Sequence, residues 1–123
     1  MPKILNGTVA IVDDEAAVRN ALSRLLGACA IRTRSYASAS DFLSSLPSDK
    51  PDCLIVDLQM PGMTGIELLE QLTRSGVTIP SIVITAHGDA DVRKRCLAAG
   101  AAAYLTKPFD GAVLLASITS AVA

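Results

Sequence analysis

The sequence predicts an α/β fold in which a parallel sheet is covered by helices on both faces. Five short apolar runs alternate with segments whose apolar residues recur at helical spacing. The connections between them are short, and such an alternation is typical of a parallel sheet. The 123 residues are enough for one domain with its own core, so we expect a single domain over residues 1–123.

The predicted strands are aliphatic and short. They cover residues 8–12, 31–36, 53–57, 81–85 and 102–106. In the third of these, four apolar residues run directly into Asp57, a pattern that favours a strand buried on both faces. The second contains two arginines and alternates less regularly, which predicts a strand near the edge of the sheet.

A helical segment follows each predicted strand. The apolar side of the first comprises Val18, Leu22, Leu25, Leu26 and Cys29, and the opposite side comprises Arg19, Asn20, Ser23 and Arg24. Asp13 or Asp14 is expected to cap this helix, and Ser38 or Ser40 the second. Thr64 and Glu67 have the spacing of a capping box, and Gly100 suits the left-handed end of the fourth helix.

The last helix is expected to begin near Asp110 and to pack Leu115, Ile118 and Val122. Residues 47–51 have proline at both ends and predict a loop. Three cysteines, Cys29, Cys53 and Cys96, lie within apolar patterns and are expected to be reduced core thiols.

Polar residues stand at the ends of four strands. Asp13 and Asp14 follow the first, Asp57 ends the third, Thr85 ends the fourth and Lys107 follows the fifth. The carboxyl ends of parallel strands share one edge, where sites form in such folds. Three carboxylates gathered there repel one another, which favours raised pKa values, a bound cation, or both.

Magnesium suits this oxygen-rich set, and a metal beside a carboxylate indicates phosphoryl chemistry. Asp57 would attack phosphorus, Lys107 would neutralise phosphoryl oxygens and Thr85 would donate a hydroxyl. Taken singly, each residue is more often a cap, a solvated side chain or a hydroxyl bonded to its own backbone. Their occurrence together at one edge favours a site.

The sequence resembles the receiver domain of two-component response regulators. The matching segments are Val12 to Glu15, Asp57 to Gly65, Ile84 to Ala86, Gly100–Ala101 and Leu105 to Phe109. The Gln59 to Gly65 loop and the Leu105 to Phe109 segment are similar to the FixJ-like subgroup. The resemblance implies a flavodoxin-like (βα)5 fold, a doubly wound sheet with strand order 2-1-3-4-5.

It also implies a phosphorylation-activated signalling switch rather than an enzyme acting on other substrates. A histidine kinase or phosphotransfer protein would phosphorylate Asp57 with Mg²⁺, as in a phosphorelay, and the domain would catalyse only its own phosphorylation and dephosphorylation. Asp14, Asp57 and the Gln59 carbonyl would bind the metal directly, and Asp13 through water. Lys107, preceding a cis proline peptide at Pro108, would pair with Asp57 or its phosphate.

The switch implied by the family is a movement of Thr85 toward the phosphate with Tyr104 turning inward. Gln59 and His87 would set the lifetime of the phosphate. The fourth helix, fifth strand and fifth helix would form the output face and a phosphorylation-dependent homodimer. The basic run at 93–95 is either a solvated helix face or part of that surface.

The net charge and the length of the apolar runs exclude some classes of function. A net charge of −1 gives no electrostatic footprint for nucleic acid, and no apolar run approaches a membrane span, so a cytoplasmic protein is expected. Neither does the stretch after Lys3 resemble a signal peptide. Two alternatives remain open: a receiver-like module that is never phosphorylated, and a haloacid dehalogenase-type phosphohydrolase. The kinase, stimulus, output domain and oligomeric state are not specified by the sequence.

Overall fold

A five-stranded parallel sheet organises the chain, with helices on both faces. The computed structural model describes residues 7–46, 48 and 50–123. The elements in chain order are β1 (Thr8–Val12), α1 (Ala16–Ala28), β2 (Arg32–Tyr36), α2 (Ala39–Ser45), β3 (Cys53–Asp57), α3 (Gly65–Arg74), β4 (Ser81–Thr85), α4 (Ala90–Ala98), β5 (Ala103–Thr106) and α5 (Gly111–Val122). Residues 1–6, Pro47 and Asp49 lie outside the described part, as do the predictions that involve Lys3 and Pro47.

The strand order is β2-β1-β3-β4-β5, which confirms the doubly wound topology that the resemblance implies. All five residues of β3 and of β4 are buried, whereas β2 at the edge is partly or fully exposed along its length. The predicted strand positions are therefore confirmed, with the difference that β2 begins at Arg32 and β5 at Ala103.

Two aliphatic clusters cover the two faces of the sheet. One packs Phe42, Leu68 and Cys96 from α2, α3 and α4, and the other packs Leu26 and Leu114 from α1 and α5. Burying such side chains stabilises the fold by about 1.5–3 kcal/mol each. Ile118 is buried as predicted in α5, but Leu114, which the sequence analysis did not single out, is buried while Leu115 and Val122 are only partly so.

The N-terminal ends of the helices confirm some of the predicted caps and contradict one. The capping box of Thr64 and Glu67 is present, and Ser38 caps α2. The predicted cap of α1 by Asp13 or Asp14 is wrong: the N-cap is Glu15, which makes no side-chain cap hydrogen bond. The Asp13 carboxylate instead accepts from the Glu15 backbone N–H, 2.9 Å away, and lies within 4.0 Å of a lysine described below.

The prediction that all three cysteines lie in the core is wrong for Cys29. Cys53 and Cys96 are buried, and burial raises the pKa of the Cys53 thiol to about 12. Cys29 is exposed, because α1 ends at Ala28 and Cys29 is its C-cap, so it no longer follows the helical spacing of Leu22 and Leu26. In the described part of the chain, no helix is long and apolar enough to span a membrane.

Candidate functional site at the carboxyl edge of the sheet

The register of the sheet brings the predicted polar residues to one edge. Asp57 pairs with Ile84, the residue before Thr85, and Thr85 pairs with Thr106, the residue before Lys107. Two backbone bonds extend this alignment past the strand ends: the Lys107 N–H donates to the Thr85 carbonyl over 2.7 Å, and the Leu58 N–H donates to the Ile84 carbonyl over 2.9 Å. The loops that follow the strands therefore start from fixed positions.

Three carboxylates meet at this edge. One oxygen each of Asp13, Asp14 and Asp57 lies within 4.8 Å of the other two. Asp13 is fully buried and Asp57 is 5 % exposed, whereas Asp14 is exposed. Hard carboxylate oxygens at this separation are the ligand type that Mg²⁺ prefers, so the donor set fits that ion.

Lys107 supplies a positive charge to the cluster. Its Nζ lies 3.4 Å from Asp13 Oδ2, 3.8 Å from Asp57 Oδ1 and 4.0 Å from Glu15 Oε1. The peptide bond that joins it to Pro108 is cis, as the resemblance implies. The lysine is thus nearer to Asp13 than to Asp57, and Glu15 is a third partner that the sequence analysis did not identify.

Asp57 titrates far from its ordinary range. Burial, and after it the negative charge of Asp13, raise the pKa of its carboxyl from 3.8 to about 6. Lys107 and the Gln59 backbone N–H act in the opposite direction, but they do not compensate. Desolvation and like charge are the two causes expected when acids share a closed site.

Arg19 makes a contact that its position on the helix did not predict. It lies on the side of α1 opposite the apolar residues, yet its guanidinium Nη1 donates to the backbone carbonyl of Asp13 over 2.7 Å, and the side chain is half-buried. An amphipathic pattern records the direction of the Cβ. A long arginine can bend back one turn to the start of its helix, so the pattern gives no signal for this contact.

Close backbone packing beneath Asp57 depends on Gly65. A Cβ added there would lie 2.7 Å from the Asp57 carbonyl oxygen and 3.0 Å from Leu58 Cα. The Gly65 N–H donates to the Leu58 carbonyl over 3.0 Å. The first turn of α3 thereby rests directly on the backbone that carries Asp57.

Thr85 and Tyr104 lie side by side on the neighbouring strands. The buried Thr85 hydroxyl accepts from the His87 N–H at 3.2 Å and donates to the His87 carbonyl at 3.4 Å, a long hydrogen bond. The Tyr104 hydroxyl is buried with no hydrogen-bond partner in the described part of the chain, and burial raises the pKa of Tyr104. A Cβ added at Gly88 would overlap the Tyr104 hydroxyl oxygen and lie 3.1 Å from Thr85 Cγ2.

Gln59 and His87, predicted to modulate the site, both have exposed side chains in the loops after β3 and β4. The basic residues Arg93, Lys94 and Arg95 are exposed on α4.

Beside Lys107, an apolar groove of about 380 Å³ separates α1 from the loop that follows β5. It is lined by Ala17, Val18, Ala21, Leu22, Leu25, Lys107, Pro108, Phe109 and Gly111.

Comparison with known proteins identifies this arrangement. The family model for the response regulator receiver domain matches residues 9–119. The chain is 40% identical over 114 residues to the transcriptional regulatory protein FixJ of Rhizobium meliloti, covering 93% of this chain and 56% of that protein. It is 38% identical over 104 residues to the DNA-binding transcriptional regulator NtrC of Escherichia coli K12, covering 85% of this chain and 22% of NtrC.

Solved structures agree with the curated relatives. The crystal structure of FixJ-N superimposes with a TM-score of 0.89 at 39% identity, covering 96% of this chain and 94% of that one. A response regulator receiver protein from Burkholderia phymatum gives 0.82 at 45% identity, covering 94% of both chains. The chain spans little more than half the length of the FixJ proteins it matches. It belongs to the response regulator receiver domains of two-component systems and is FixJ-like within that family.

Proposed function

We propose that Asp57 is the phosphoacceptor of a signalling switch and that residues 1–123 act as one receiver unit. The observation that supports this most directly is the position of Asp57: it is almost buried, between two other acids and Lys107. An oxygen of its carboxylate attacks the phosphorus of a phosphohistidine. The P–N bond breaks, the imidazole retains the electron pair and is protonated, and an acyl phosphate remains on Asp57.

The metal ligands and Lys107 prepare this transfer. Asp13, Asp14, Asp57 and the Gln59 carbonyl would hold Mg²⁺, which when bound neutralises the charge of the acids and of the transferring phosphoryl group. Lys107 lies within 4.0 Å of both Asp13 and Asp57 and can follow the phosphoryl oxygens as charge shifts onto them. The same charges favour attack by water on the acyl phosphate, so the domain also dephosphorylates itself, at a rate set by the exposed Gln59 and His87.

The groups proposed to move are Thr85 of β4 and Tyr104 of β5. Within residues 7–46, 48 and 50–123, the Thr85 hydroxyl is held only by the backbone of His87, and it can turn to donate to a phosphoryl oxygen. Tyr104 fills the space against Thr85 and Gly88, so its position depends on where Thr85 points. This couples phosphorylation to β5, because Tyr104 belongs to that strand.

We place the output face on α4, β5 and α5. Between β5 and α5 a hollow is lined by small residues, among them Ala102, Ala103 and Ala116, and Val113 at its rim is 47% exposed. Small side chains let a second copy approach closely, which supports a phosphorylation-dependent homodimer. The net charge of −1 provides no overall electrostatic attraction to nucleic acid, so we propose no nucleic-acid partner for this domain alone.

The phosphodonor is proposed to be a histidine kinase or phosphotransfer protein, and the chain to work in the cytoplasm with it. Such a donor must cover the mouth of the site, and the apolar groove beside Lys107 offers the contact area there.

Replacing Ala21 with arginine in this groove should slow transfer from a histidine donor at least about tenfold, since a buried unpaired charge is costly. Phosphorylation by acetyl phosphate, which needs no docking, should be unchanged.

The central test is mass-resolved labelling with acetyl phosphate, in Mg²⁺ and in EDTA. Wild type should gain one phosphoryl group in Mg²⁺ only, and Asp57→Asn should gain none. Asp41→Asn, which changes an exposed acid in the first turn of α2, is the matched control and should label like wild type. Stoichiometric labelling of Asp57→Asn would overturn the site. Absence of both labelling and Mg²⁺ binding in wild type would instead indicate a phosphorylation-independent interaction module.

A further inference from the structure

We propose that Arg19 is a positioning residue that holds the Asp13–Asp14 segment so that both carboxylates face Asp57. This inference rests on the proposed function, because it concerns the same metal and phosphoryl site. The contact that carries it is the 2.7 Å hydrogen bond from the half-buried Arg19 guanidinium to the Asp13 carbonyl. Arg19 lies in α1, outside the strand ends that supply the other site residues.

Every polar group of Asp13 is engaged, and each partner comes from a different part of the chain. The N–H donates to the Tyr36 carbonyl over 3.1 Å, and Oδ1 accepts from the Glu15 N–H over 2.9 Å. Oδ2 lies 3.4 Å from Lys107. The carbonyl is the group that Arg19 holds, and it belongs to the peptide unit that joins Asp13 to Asp14. Fixing that peptide plane narrows the directions that the Asp14 side chain can take, because rotation about φ and the side-chain bonds then remains the main freedom of Asp14.

Asp14 needs this support more than its neighbours do. It is exposed, whereas Asp13 and Asp57 are enclosed by protein. No hydrogen bond or ion pair of the Asp14 side chain is found among the described residues, so its placement within 4.8 Å of the other acids depends on the backbone beneath it. Arg19 holds that backbone through the Asp13 carbonyl.

The contact of Arg19 differs in kind from the contacts that Lys107 makes. Lys107 contacts the carboxylates themselves, and it is expected to shift when a phosphoryl group arrives. Arg19 binds a backbone oxygen, so its position does not depend on what occupies the site. A guanidinium also presents donors in a rigid plane, which an ammonium on a flexible stem does not reproduce.

The experiment compares Arg19→Gln and Arg19→Lys with Arg24→Gln, a change to an exposed arginine on the same helix. Mg²⁺ affinity is measured by calorimetry on the unphosphorylated protein, and the thermal midpoint is recorded for each variant. Loss of a residue that orients metal ligands typically weakens metal binding about 10- to 100-fold. We expect a loss of about tenfold for Arg19→Gln, a smaller but measurable loss for Arg19→Lys, and less than a twofold change for Arg24→Gln.

Two results would overturn the proposal. If Arg19→Gln lowers the thermal midpoint but leaves Mg²⁺ affinity unchanged below it, Arg19 only stabilises the fold. If Arg19→Lys binds Mg²⁺ as wild type does, charge alone is sufficient and the planar contact is not used; this variant also serves if Arg19→Gln does not fold. Because Mg²⁺ binding is measured without a phosphodonor, failure of wild type to accept phosphate would overturn the proposed function and leave the test of Arg19 valid.

Discussion

The two sides of the site differ in how firmly their polar groups are held. On the acid side (Asp13, Asp14, Asp57 and Lys107), the buried carboxylates lie within 4.0 Å of a lysine, and every polar group of Asp13 has a partner. On the switch side (Thr85, Tyr104 and Gly88), the Thr85 hydroxyl bonds to the His87 backbone at 3.2 and 3.4 Å, and the Tyr104 hydroxyl has no partner among the described residues. In the proposed function, the groups that accept phosphate are therefore preorganised, while the groups that move are loosely bound.

This difference is physically consistent with a switch. A buried hydroxyl without a partner costs about 1–3 kcal/mol, so the inward position of Tyr104 is not strongly favoured over an outward one. A ligand shifts the equilibrium between two conformations by no more than the difference in its binding free energy for them. The two conformations must therefore differ by only a few kcal/mol. Firm bonds to Thr85 and Tyr104 would stabilise one state against phosphorylation, whereas loose bonds on the acid side would misplace the metal.

The largest expected effect is on the switch side, from Gly88→Ala. The added Cβ would overlap the Tyr104 hydroxyl, and overpacking of this kind costs about 1–3 kcal/mol, or about 5- to 150-fold in population. Tyr104 should move outward, and its pKa should fall back toward the ordinary 10.0. An ultraviolet titration would show this, with Tyr104→Phe to assign the transition.

Gly27→Ala is the control for that change, since nothing lies within 4 Å of a Cβ added there. It should leave the tyrosine titration as in wild type. An unaltered Tyr104 titration in Gly88→Ala would mean that the loop after β4 adjusts freely, and that Gly88 does not define the inward position.

A second, intermediate effect concerns the acid side and pH. The folded-state pKa of Asp57, about 6, is above its ordinary 3.8, so between these values the folded state binds more protons than the unfolded state. Stability contributed by this group is present at low pH and is lost as pH rises through about 6. In EDTA at pH 7.5, Asp57→Asn should therefore be more stable than wild type by about 1–3 kcal/mol, and the difference should shrink toward pH 4.5.

Urea unfolding at both pH values checks this. Mg²⁺ should stabilise wild type and have a much smaller effect on Asp57→Asn, because it binds the folded acid cluster. Equal stability of the two proteins at both pH values would show that Asp57 is better solvated than its burial indicates.

The smallest expected effect concerns a residue outside the site, at the end of α1. The α1, α3 and α4 helices end in the same pair of backbone bonds, with a left-handed residue at Ala30 (φ 61), Gly76 (φ 73) and Gly100 (φ 107). Alanine is strained in this conformation by about 1 kcal/mol relative to glycine. Ala30→Gly should raise the free energy of unfolding by about that amount while leaving Mg²⁺ affinity unchanged. A loss of stability would indicate that the flexibility gained by the unfolded chain outweighs the strain relieved.

Much of the fold could be predicted because its signals are local. Apolar runs, the spacing of Leu22 and Leu26, and the Thr64–Glu67 pair depend on residues close in sequence. The errors occur where a contact between distant segments replaces the contact that local rules predict. Asp13 is not the N-cap of α1, and its carboxylate accepts from the Glu15 N–H and lies near Lys107. The contact of Arg19 with the Asp13 carbonyl was not predicted, because it depends on how the two segments pack.

By itself, the sequence determined that five strands would end in a common edge and that Asp13, Asp14, Asp57, Thr85 and Lys107 would gather there. Parallel pairing makes that a consequence of chain order, since every strand points the same way. Only the tertiary structure decided the individual contacts between these groups. Lys107 lies nearer Asp13 than Asp57, Arg19 donates to the Asp13 carbonyl, and Tyr104 lies against Gly88. Side-chain contacts between distant segments depend on angstrom-scale packing, which residue spacing does not encode.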